Sequence, residues 1–591
     1  MSSTNYLVLL LLPMLLHRGA VTSFPIPQPP PAPENTTLEY IDPTLPPLLP
    51  DRSPKCSIMV LQHVFADTAG APPISAPYSP PLDCPSPWSR VVLDLSASAS
   101  DLQKDRVAAI WLSGAELLRT STPYPLSPGV FWRVRKDITR YTSLLRSPSL
   151  PDDDNSTDPS SSTSPAFISM MLENSNSTFP GFYSVNVSIH FYRGGVKTEG
   201  EPIRLSAHPV IRGLYRDPAD LILPVSNELG ECGHGFWFRV HNESDSQLVT
   251  LTIPNNTYRA VLELYVSHHS LDEYWYANPL RASDSKANGG FRQVVVTIDN
   301  LYAGSVVPFP LVYPGSINPF FWAPVAAIGA YDFPSYDLDL TPFVGLLLNG
   351  REHEFRLAVK DSRPFWLVSG NLHLWLDAWS DGVEGALVRH RVPPMRLSRQ
   401  ASWRGKDGKS AVDGQVIVRF LGWVCSSKGN VTTSIRQRLK FKSRVEVVGK
   451  GAVKQAAMEV KTRMDVKESV NRAMTGKASV SVEAPLVMRT ERASGGGGTV
   501  LERTSMVHGL TEERSMETKG ELESSTVADR QEAVGSVLVG RDGRAVWGGG
   551  DTKSVYLFRN QKACYLRTVN VMGGKVTEDV ETAACDAVAD A

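Results

Sequence analysis

The sequence predicts an all-β sandwich or barrel assembly, placed as one β-sandwich at about 55–200, a second at about 215–385 and a further β-rich region at about 395–591. Three observations predict it. Hydrophobic residues recur with period two: in "YSVNVSIHFY", Tyr183, Val185, Val187, Ile189 and Phe191 alternate with Ser184, Asn186, Ser188, His190 and Tyr192. Segments of this kind are short and punctuated by Pro and Gly, as strands joined by turns are. Stretches with the 3.6-residue period of a helix are few and brief.

Taken in chain order, the first element is a leader. Residues 7–16 are apolar, too short to span a bilayer and broken by Pro13; Val21 and Ser23 suit the −3 and −1 positions of a cleavage site. Residues 1–23 therefore read as a signal peptide, with a mature start at Phe24. Residues 24–54 are Pro-rich ("PIPQPPPAP") and expected to be extended. No later run is long and apolar enough to span, and "ACDAVADA" is no lipid-anchor signal, so the expectation is a soluble secretory protein without a membrane partner. Seven sequons fit that route: Asn35, Asn155, Asn176, Asn186, Asn242, Asn255 and Asn430. So do six cysteines, Cys56, Cys84, Cys232, Cys425, Cys564 and Cys585, which allow fifteen connectivities. Cys56–Cys84 and Cys564–Cys585 are the expected local loops, leaving Cys232–Cys425.

Strands follow at "RVVLDLSA", "VAAIWL" and "YSVNVSIHFY" in the first sandwich, interrupted by the acidic, Ser-rich stretch 147–165, which reads as an exposed loop. The second carries "AVLELYVS", "RQVVVTID", "EHEFRLAV" and "LHLWLDAW"; the third region carries "GQVIVRFLGWV", "LKFKSRVEV" and "SVYLFRN". "ASGGGG" at 493–498 is a turn, lacking the Lys-Ser/Thr of a phosphate loop.

Net charge is −1, so no global field recruits nucleic acid. One local surplus exists: residues 436–477 hold twelve Lys/Arg against four Asp/Glu. It reads as a solvated strand face, because Lys440, Lys442, Arg444 and Glu446 alternate with Leu439, Phe441, Val445 and Val447. Phe441 is its only aromatic, which leaves no platform for stacking bases. A monomer with no nucleic-acid partner is expected.

Nucleophile and metal motifs are absent: no G-x-S-x-G, no H-E-x-x-H. Adjacent His268 and His269 on a strand point to opposite faces, and Cys232 with His234 lacks a second ligand pair. No metal or cofactor is expected. Carboxylates remain. Asp105 precedes the apolar run "VAAIWL", Glu173 lies in "MMLENSNS", and Asp272-Glu273 lie among Tyr274, Trp275 and Tyr276, with Phe320, Phe321 and Trp322 in "INPFFWAP". Acids beside exposed rings equip sugar clefts, since rings cover apolar sugar faces and carboxylates bond hydroxyls; aromatic core beside surface acids is the competing reading.

The succession "SRVVLDLSASASDLQKDRVAAIWLSGAELLRTSTPYP", "FWRVRKDITRYTSLL" and "AGSVVPFPLVYPGSINPFFWAPVAAIGAYDFPSYDLDLTPFVGLLLNG" resembles the plant-type peptide-N-glycosidase A family from about Cys56 onward. The family is more distantly similar to a bacterial F-type enzyme of two eight-stranded sandwiches side by side, which implies two adjacent antiparallel β-sandwiches, jelly-roll-like, followed here by the further β-rich C-terminal region. The resemblance implies a secreted or vacuolar glycoamidase that cuts between Asn and the innermost N-acetylglucosamine of N-glycans, on glycopeptides or denatured glycoproteins. It implies that Asp105 is catalytic, through Asp105-Arg106, "VAAIWL" and Thr122-Pro123-Tyr124, and that Glu173 supports it. The F-type's second glutamate has no counterpart, since Asn288-Gly289-Gly290 stand there; Glu273 is the substitute expected from a neighbouring loop. Trp322-Ala323-Pro324 matches an F-type segment whose following Asp-Arg is missing here.

The expected chemistry has Asp105 deprotonating a water that attacks the Asn amide carbonyl, with Arg106 or a backbone amide as oxyanion donor and Glu173 or Glu273 assisting the leaving glycosylamine. Arg106, Tyr274, Trp275 and Trp322 are the expected substrate contacts. Two rivals stand beside it: an endo-β-N-acetylglucosaminidase, which also uses two carboxylates, and a non-catalytic glycan-binding cell-wall protein.

Overall fold

The structure, a computed structural model, describes residues 38–44, 53–146, 166–174, 181–193, 215, 217–227 and 235–583, the last without 282, 283, 285, 286, 472, 519, 542, 544 and 562. Five antiparallel-dominated sheets account for nearly all of its regular structure. One pair makes the first sandwich. Its five-stranded sheet runs Leu38–Tyr40, Val130–Asp137, Arg90–Ala99, Tyr183–Tyr192, Cys56–Phe65; its four-stranded sheet runs Ile74–Pro77, Phe167–Leu172, Val107–Leu112, Ala115–Ser121. A second pair follows, Leu221–Val225, Trp366–Leu376, Thr257–His268, Ser335–Asp339, with Phe238–Val240 also on Trp366–Leu376, against Ser246–Thr252, Glu352–Lys360, Gln293–Ile298, Leu301–Val306. Helix is limited to short turns such as Thr142–Arg146 and Val344–Leu347.

The alternation explains which faces pack. Tyr183, Val185, Val187, Ile189 and Phe191 are buried, whereas Asn186 opposite them is exposed. Val107–Leu112 lacks alternation and is buried on both faces after its first residue, so its short apolar run is a core strand.

The third region is a single eleven-stranded sheet, Glu384–Arg391 to Lys575–Thr582, with neighbours in chain order except that Glu384–Arg391 and Arg396–Arg404 share one edge of Asp407–Ser426. Its strands reach about twenty residues, far beyond the usual five or six. One face docks on the second sandwich: Gln531 Nε2 donates to the Ala326 carbonyl at 2.7 Å, Gln437 Nε2 to the Ser305 carbonyl at 2.8 Å, and Thr552 Oγ1 to the Phe321 carbonyl at 2.7 Å. Gly548 and Gly550 let the Phe320 and Phe321 rings press onto the strand Ala545–Asn560; a Cβ at either would overlap a ring. Among the described residues, the largest hydrophobic core cluster runs through all three sheet systems.

Of the disulfides, Cys56–Cys84 is present. Cys564 is disulfide-bonded, and Cys585 lies outside the described residues. The expected Cys232–Cys425 bridge is corrected: Cys425 is a free thiol, held on the exposed face of its strand opposite Glu384 rather than facing another cysteine. Asn186, Asn242, Asn255 and Asn430 are exposed; Asn35, Asn155, Asn176, Cys232, the leader and the 147–165 stretch lie outside the described residues. No helix among the described residues is long and apolar enough to cross a membrane.

Candidate active site

Asp105 sits where the chain enters the core strand Val107–Leu112. A reciprocal pair of bonds fixes that entry: the Arg106 amide donates to Thr122 Oγ1 at 2.9 Å, and the Thr122 amide donates to the Arg106 carbonyl at 2.8 Å. The Thr122-Pro123-Tyr124 turn is thus a clamp on the residue after Asp105, and Tyr183 Oη secures the residue before it through the Lys104 carbonyl at 2.7 Å.

Opposite Asp105 stands a turn from the second sandwich, Tyr313 to Asn318. Ser316 N–H closes on the Tyr313 carbonyl at 2.9 Å, and Asn318 N–H closes on the Ser316 carbonyl at 2.8 Å. Between them Ile317 is held at φ 69°, a left-handed setting that is uncommon for a β-branched residue. Strain of this kind persists only where surroundings impose it, and here it positions two groups. The Gly315 amide donates to the Asp105 carboxylate. The Ser316 hydroxyl donates to Glu273 Oε1 at 2.6 Å. Gly315 has no substitute: a Cβ there would overlap Asp105 Oδ1 and meet Tyr124 Cδ2 at 2.9 Å. Gly315→Ala is expected to cut turnover by roughly 10²-fold, the scale of an ångström's misplacement of a reacting group, with unchanged circular dichroism; parental rates would show that the carboxylate need not sit there.

Asp272 and Glu273 separate completely. Asp272 is buried in a bidentate pair with Arg292, both bonds 2.6 Å, and accepts from Trp366 Nε1 at 2.7 Å and the Arg363 amide at 2.9 Å. That arrangement is structural and pins the short turn Ser270–Asp272. Glu273, the next residue, turns to the cavity, and its charge acts on Asp105.

Burial pushes the Asp105 carboxyl up to about 6; the Gly315 amide opposes this, and the Glu273 charge adds to it. Asp105, Glu273, Tyr124, Tyr274 and Lys104 all line one open cavity of about 940 Å³. Tyr274 is 45 % exposed, so its ring is offered to solvent within the cavity. Its hydroxyl, held neutral by burial first and by Glu273 second, is tied to Ser316 and Glu273.

Several expected residues are placed elsewhere. Trp275 and Trp322 are each 1 % exposed, which corrects their assignment as substrate contacts. Trp275 packs against Trp366 beneath the cavity, and Trp322 Nε1 donates to the Ser316 carbonyl at 3.4 Å, bracing the turn from behind. Arg106 does not line the cavity, because successive residues entering a strand point to opposite sides; its Nε is buried with no partner among the described residues. Its charge nonetheless acts on the Asp105 carboxyl, opposing the effect of burial. Glu173 reaches the same end of the sheet as Asp105, since Leu172 is opposite Ala108, yet it is not on the cavity wall.

More than half of the wall comes from the C-terminal sheet, including Trp403, Lys406, Lys454, Thr490, Arg492, Glu502 and Thr504. Reading the sequence missed this wall, and it missed the Gly315–Ser316–Ile317 turn. The latter lies in "YPGSINP", where Gly next to Pro marked a turn without saying what it faces. Among the described residues no group of three or more His, Cys, Asp or Glu is placed to hold a metal ion.

Comparison with known proteins gives three findings. The profile of a family described as peptide N-acetyl-beta-D-glucosaminyl asparaginase amidase A matches residues 43–393. The chain is similar to the peptide-N4-(N-acetyl-beta-glucosaminyl)asparagine amidase A of Prunus dulcis, 34 % identical over 571 residues, 95 % of each chain. Among solved structures it is similar to the glycosylasparaginase PNGase F of Flavobacterium meningosepticum, with TM-score 0.32 and 13 % identity over 54 % of this chain and 96 % of that one. PNGF-II gives TM-score 0.35 and 13 % identity, over 55 % and 66 % of the two chains.

Proposed function

Because the chain belongs to the peptide N-acetyl-beta-D-glucosaminyl asparaginase amidase A family, we propose that its reaction is carried by Asp105 at the acidic end of the cavity, with Glu273 as its neighbouring acid. The protein is a glycoamidase: it hydrolyses the amide bond between Asn and the innermost N-acetylglucosamine of an N-glycopeptide. The observation that carries the assignment of Asp105 is its placement, ionisable near neutrality and facing a cavity that a sugar-bearing side chain can enter.

In this reading the Asp105 carboxylate takes a proton from a water as its oxygen attacks the Asn side-chain carbonyl carbon. The tetrahedral intermediate collapses with cleavage of the C–N bond, and the proton passes to the departing nitrogen. The products are an Asp-containing peptide and a glycosylamine, which loses ammonia in water. Ser316 fixes Glu273 so that its free oxygen can accept from the sugar or the amide nitrogen, and the exposed Tyr274 ring offers a face to the innermost sugar. Tyr124, Tyr274 and Lys104 are donor-bearing side chains in the same wall.

Digesting one defined glycopeptide and weighing the peptide product tests the reaction. Conversion of Asn to Asp with no sugar retained is the expected result; one retained N-acetylglucosamine would make the protein an endoglycosidase instead. The pH profile tests the base. The acid limb of kcat/KM should fall with a midpoint near 6, because the base is active only when ionised. Glu273→Gln should move that midpoint downward, since removing a like charge relieves Asp105. An unmoved midpoint would detach Glu273 from Asp105.

The reading also routes the protein through the secretory pathway, supported by the exposed sequon asparagines and the Cys56–Cys84 disulfide. A mature amino terminus at Phe24 is the check.

A further inference from the structure

The cavity is bipolar. Asp105 and Glu273 stand at the end built by the sandwiches, whereas the wall built by the C-terminal sheet carries Lys406, Lys454 and Arg492 against Glu502, with Arg281 beside them. The two arginines are engaged. Arg492 Nε lies 2.9 Å from Glu502 Oε1, and the Arg281 guanidinium stacks 4.2 Å over the Trp403 ring while reaching the Lys406 carbonyl at 3.5 Å. The Lys454 ammonium has no hydrogen bond or ion pair among the described residues, although the Glu502 charge acts on it.

Its position is out of keeping with a solvated charge. Along Val453–Val470 the inward face carries Ala456, Met458 and Val460, all buried, and Lys454 is in phase with them. The basic surplus of this region therefore divides: Lys440, Lys442 and Arg444 are exposed on the outer face, but Lys454 points into the cavity. In register with it across the sheet stand Val447 on one side and Thr490 on the other, with Thr504 next. The two threonine hydroxyls are 3.1 Å apart and line the same wall. Burial first, and the Arg492 charge second, push the Lys454 ammonium down to about 8, so it is a cation held where water solvates it poorly.

We propose that Lys454, with the Thr490 and Thr504 hydroxyls, forms a carboxylate-binding subsite through which the C-terminal sheet reads an acidic group on the substrate. An ammonium suits a carboxylate as a point charge, and the hydroxyls supply donors to its second oxygen. The proposal rests on the amidase reading only for direction: with the scissile amide at Asp105, the carboxylate lies on the substrate portion that crosses the cavity toward the C-terminal sheet. Two sources carry that chemistry, a carboxylate of the peptide or an acidic sugar of the glycan.

The test compares kcat/KM on three glycopeptides of one peptide sequence: carboxylates free with a neutral glycan, carboxylates amidated with a neutral glycan, and carboxylates amidated with a sialylated glycan. The parent protein is expected to favour at least one acidic substrate over the amidated neutral one by about tenfold, the scale of one charge-assisted bond. Lys454→Met should bring that ratio to near one, and Lys454→Arg should keep most of it. Each ratio is read on a single preparation, so loss of folded protein cancels. A preference confined to the free peptide assigns the peptide as source, and one confined to the sialylated substrate assigns the glycan. No preference in the parent, or a preference that survives Lys454→Met, overturns the subsite. Failure of the amidase reading looks different, with no glycan released from any of the three.

Discussion

Asp105→Asn lowers turnover of a defined N-glycopeptide by roughly 10²–10⁴-fold, the usual worth of a positioned general base, while glycopeptide binding persists. The substitution keeps the shape of the side chain and leaves an amide oxygen to accept from Gly315, so the turn that faces it stays in place. What it removes is the capacity to take a proton. Folding is not the casualty. The folded carboxyl titrates at about 6 against an ordinary value of 3.8, so above that pH the ionised form costs stability, and the neutral amide has no such cost. The variant should melt no lower than its parent at neutral pH. Rates are read by mass spectrometry of the released peptide and binding by calorimetry on the same glycopeptide; near-normal turnover would remove Asp105 from the reaction.

The largest effect on stability is expected at Arg119. This residue is fully buried at the junction of the two sandwiches, and every one of its N–H groups is bonded. Nε and Nη2 grip Glu116 at 2.7 and 2.8 Å; Nη1 reaches Ser267 Oγ at 3.0 Å and the Leu367 carbonyl at 2.8 Å; Nη2 also reaches Ser369 Oγ at 3.1 Å. Arg119 and Glu116 belong to the strand Ala115–Ser121 of the first sandwich, and the other partners belong to Thr257–His268 and Trp366–Leu376 of the second. Arg119→Met strands a buried carboxylate, and breaking such a pair costs about 3–5 kcal/mol. Denaturant melts should show this as a lower midpoint. Adding Glu116→Leu should recover much of the loss, because replacing both members with apolar groups removes the desolvation cost along with the bonds. A single variant that melts like the parent would mean that the junction is held by apolar packing alone.

Local features of the chain carried the fold class and one end of the site. Alternation in "YSVNVSIHFY" and the unalternating "VAAIWL" depend only on near neighbours, and both strands lie where those patterns put them. The strand "LKFKSRVEV" extends further than its pattern, from Gly429 to Val448, because it pairs along nearly its whole length with long strands on both sides. The aromatic residues around Glu273 were harder. Tyr274, Trp275 and Tyr276 are adjacent and alike in composition, yet Tyr274 is exposed in the cavity while Trp275 and Tyr276 are buried. The direction of each ring follows from the turn Trp275–Ala277, whose shape is imposed by what packs around it. Trp322 and Cys425 illustrate the same dependence, one turned inward to brace a turn and the other outward with no thiol opposite.

By itself the sequence determined an all-β chain of two sandwiches with a further β-rich region, and it marked the carboxylate that opens the strand Val107–Leu112. Those properties follow from periods and turn residues, which act over a few positions. Tertiary structure alone decided that Glu273 faces that carboxylate, that Gly315 leaves room for it, and that the C-terminal sheet walls one side of the cavity with Lys454 pointing inward. A cavity is the space left between surfaces distant in the chain, and its charge and shape are set by how those surfaces dock, which no local pattern encodes.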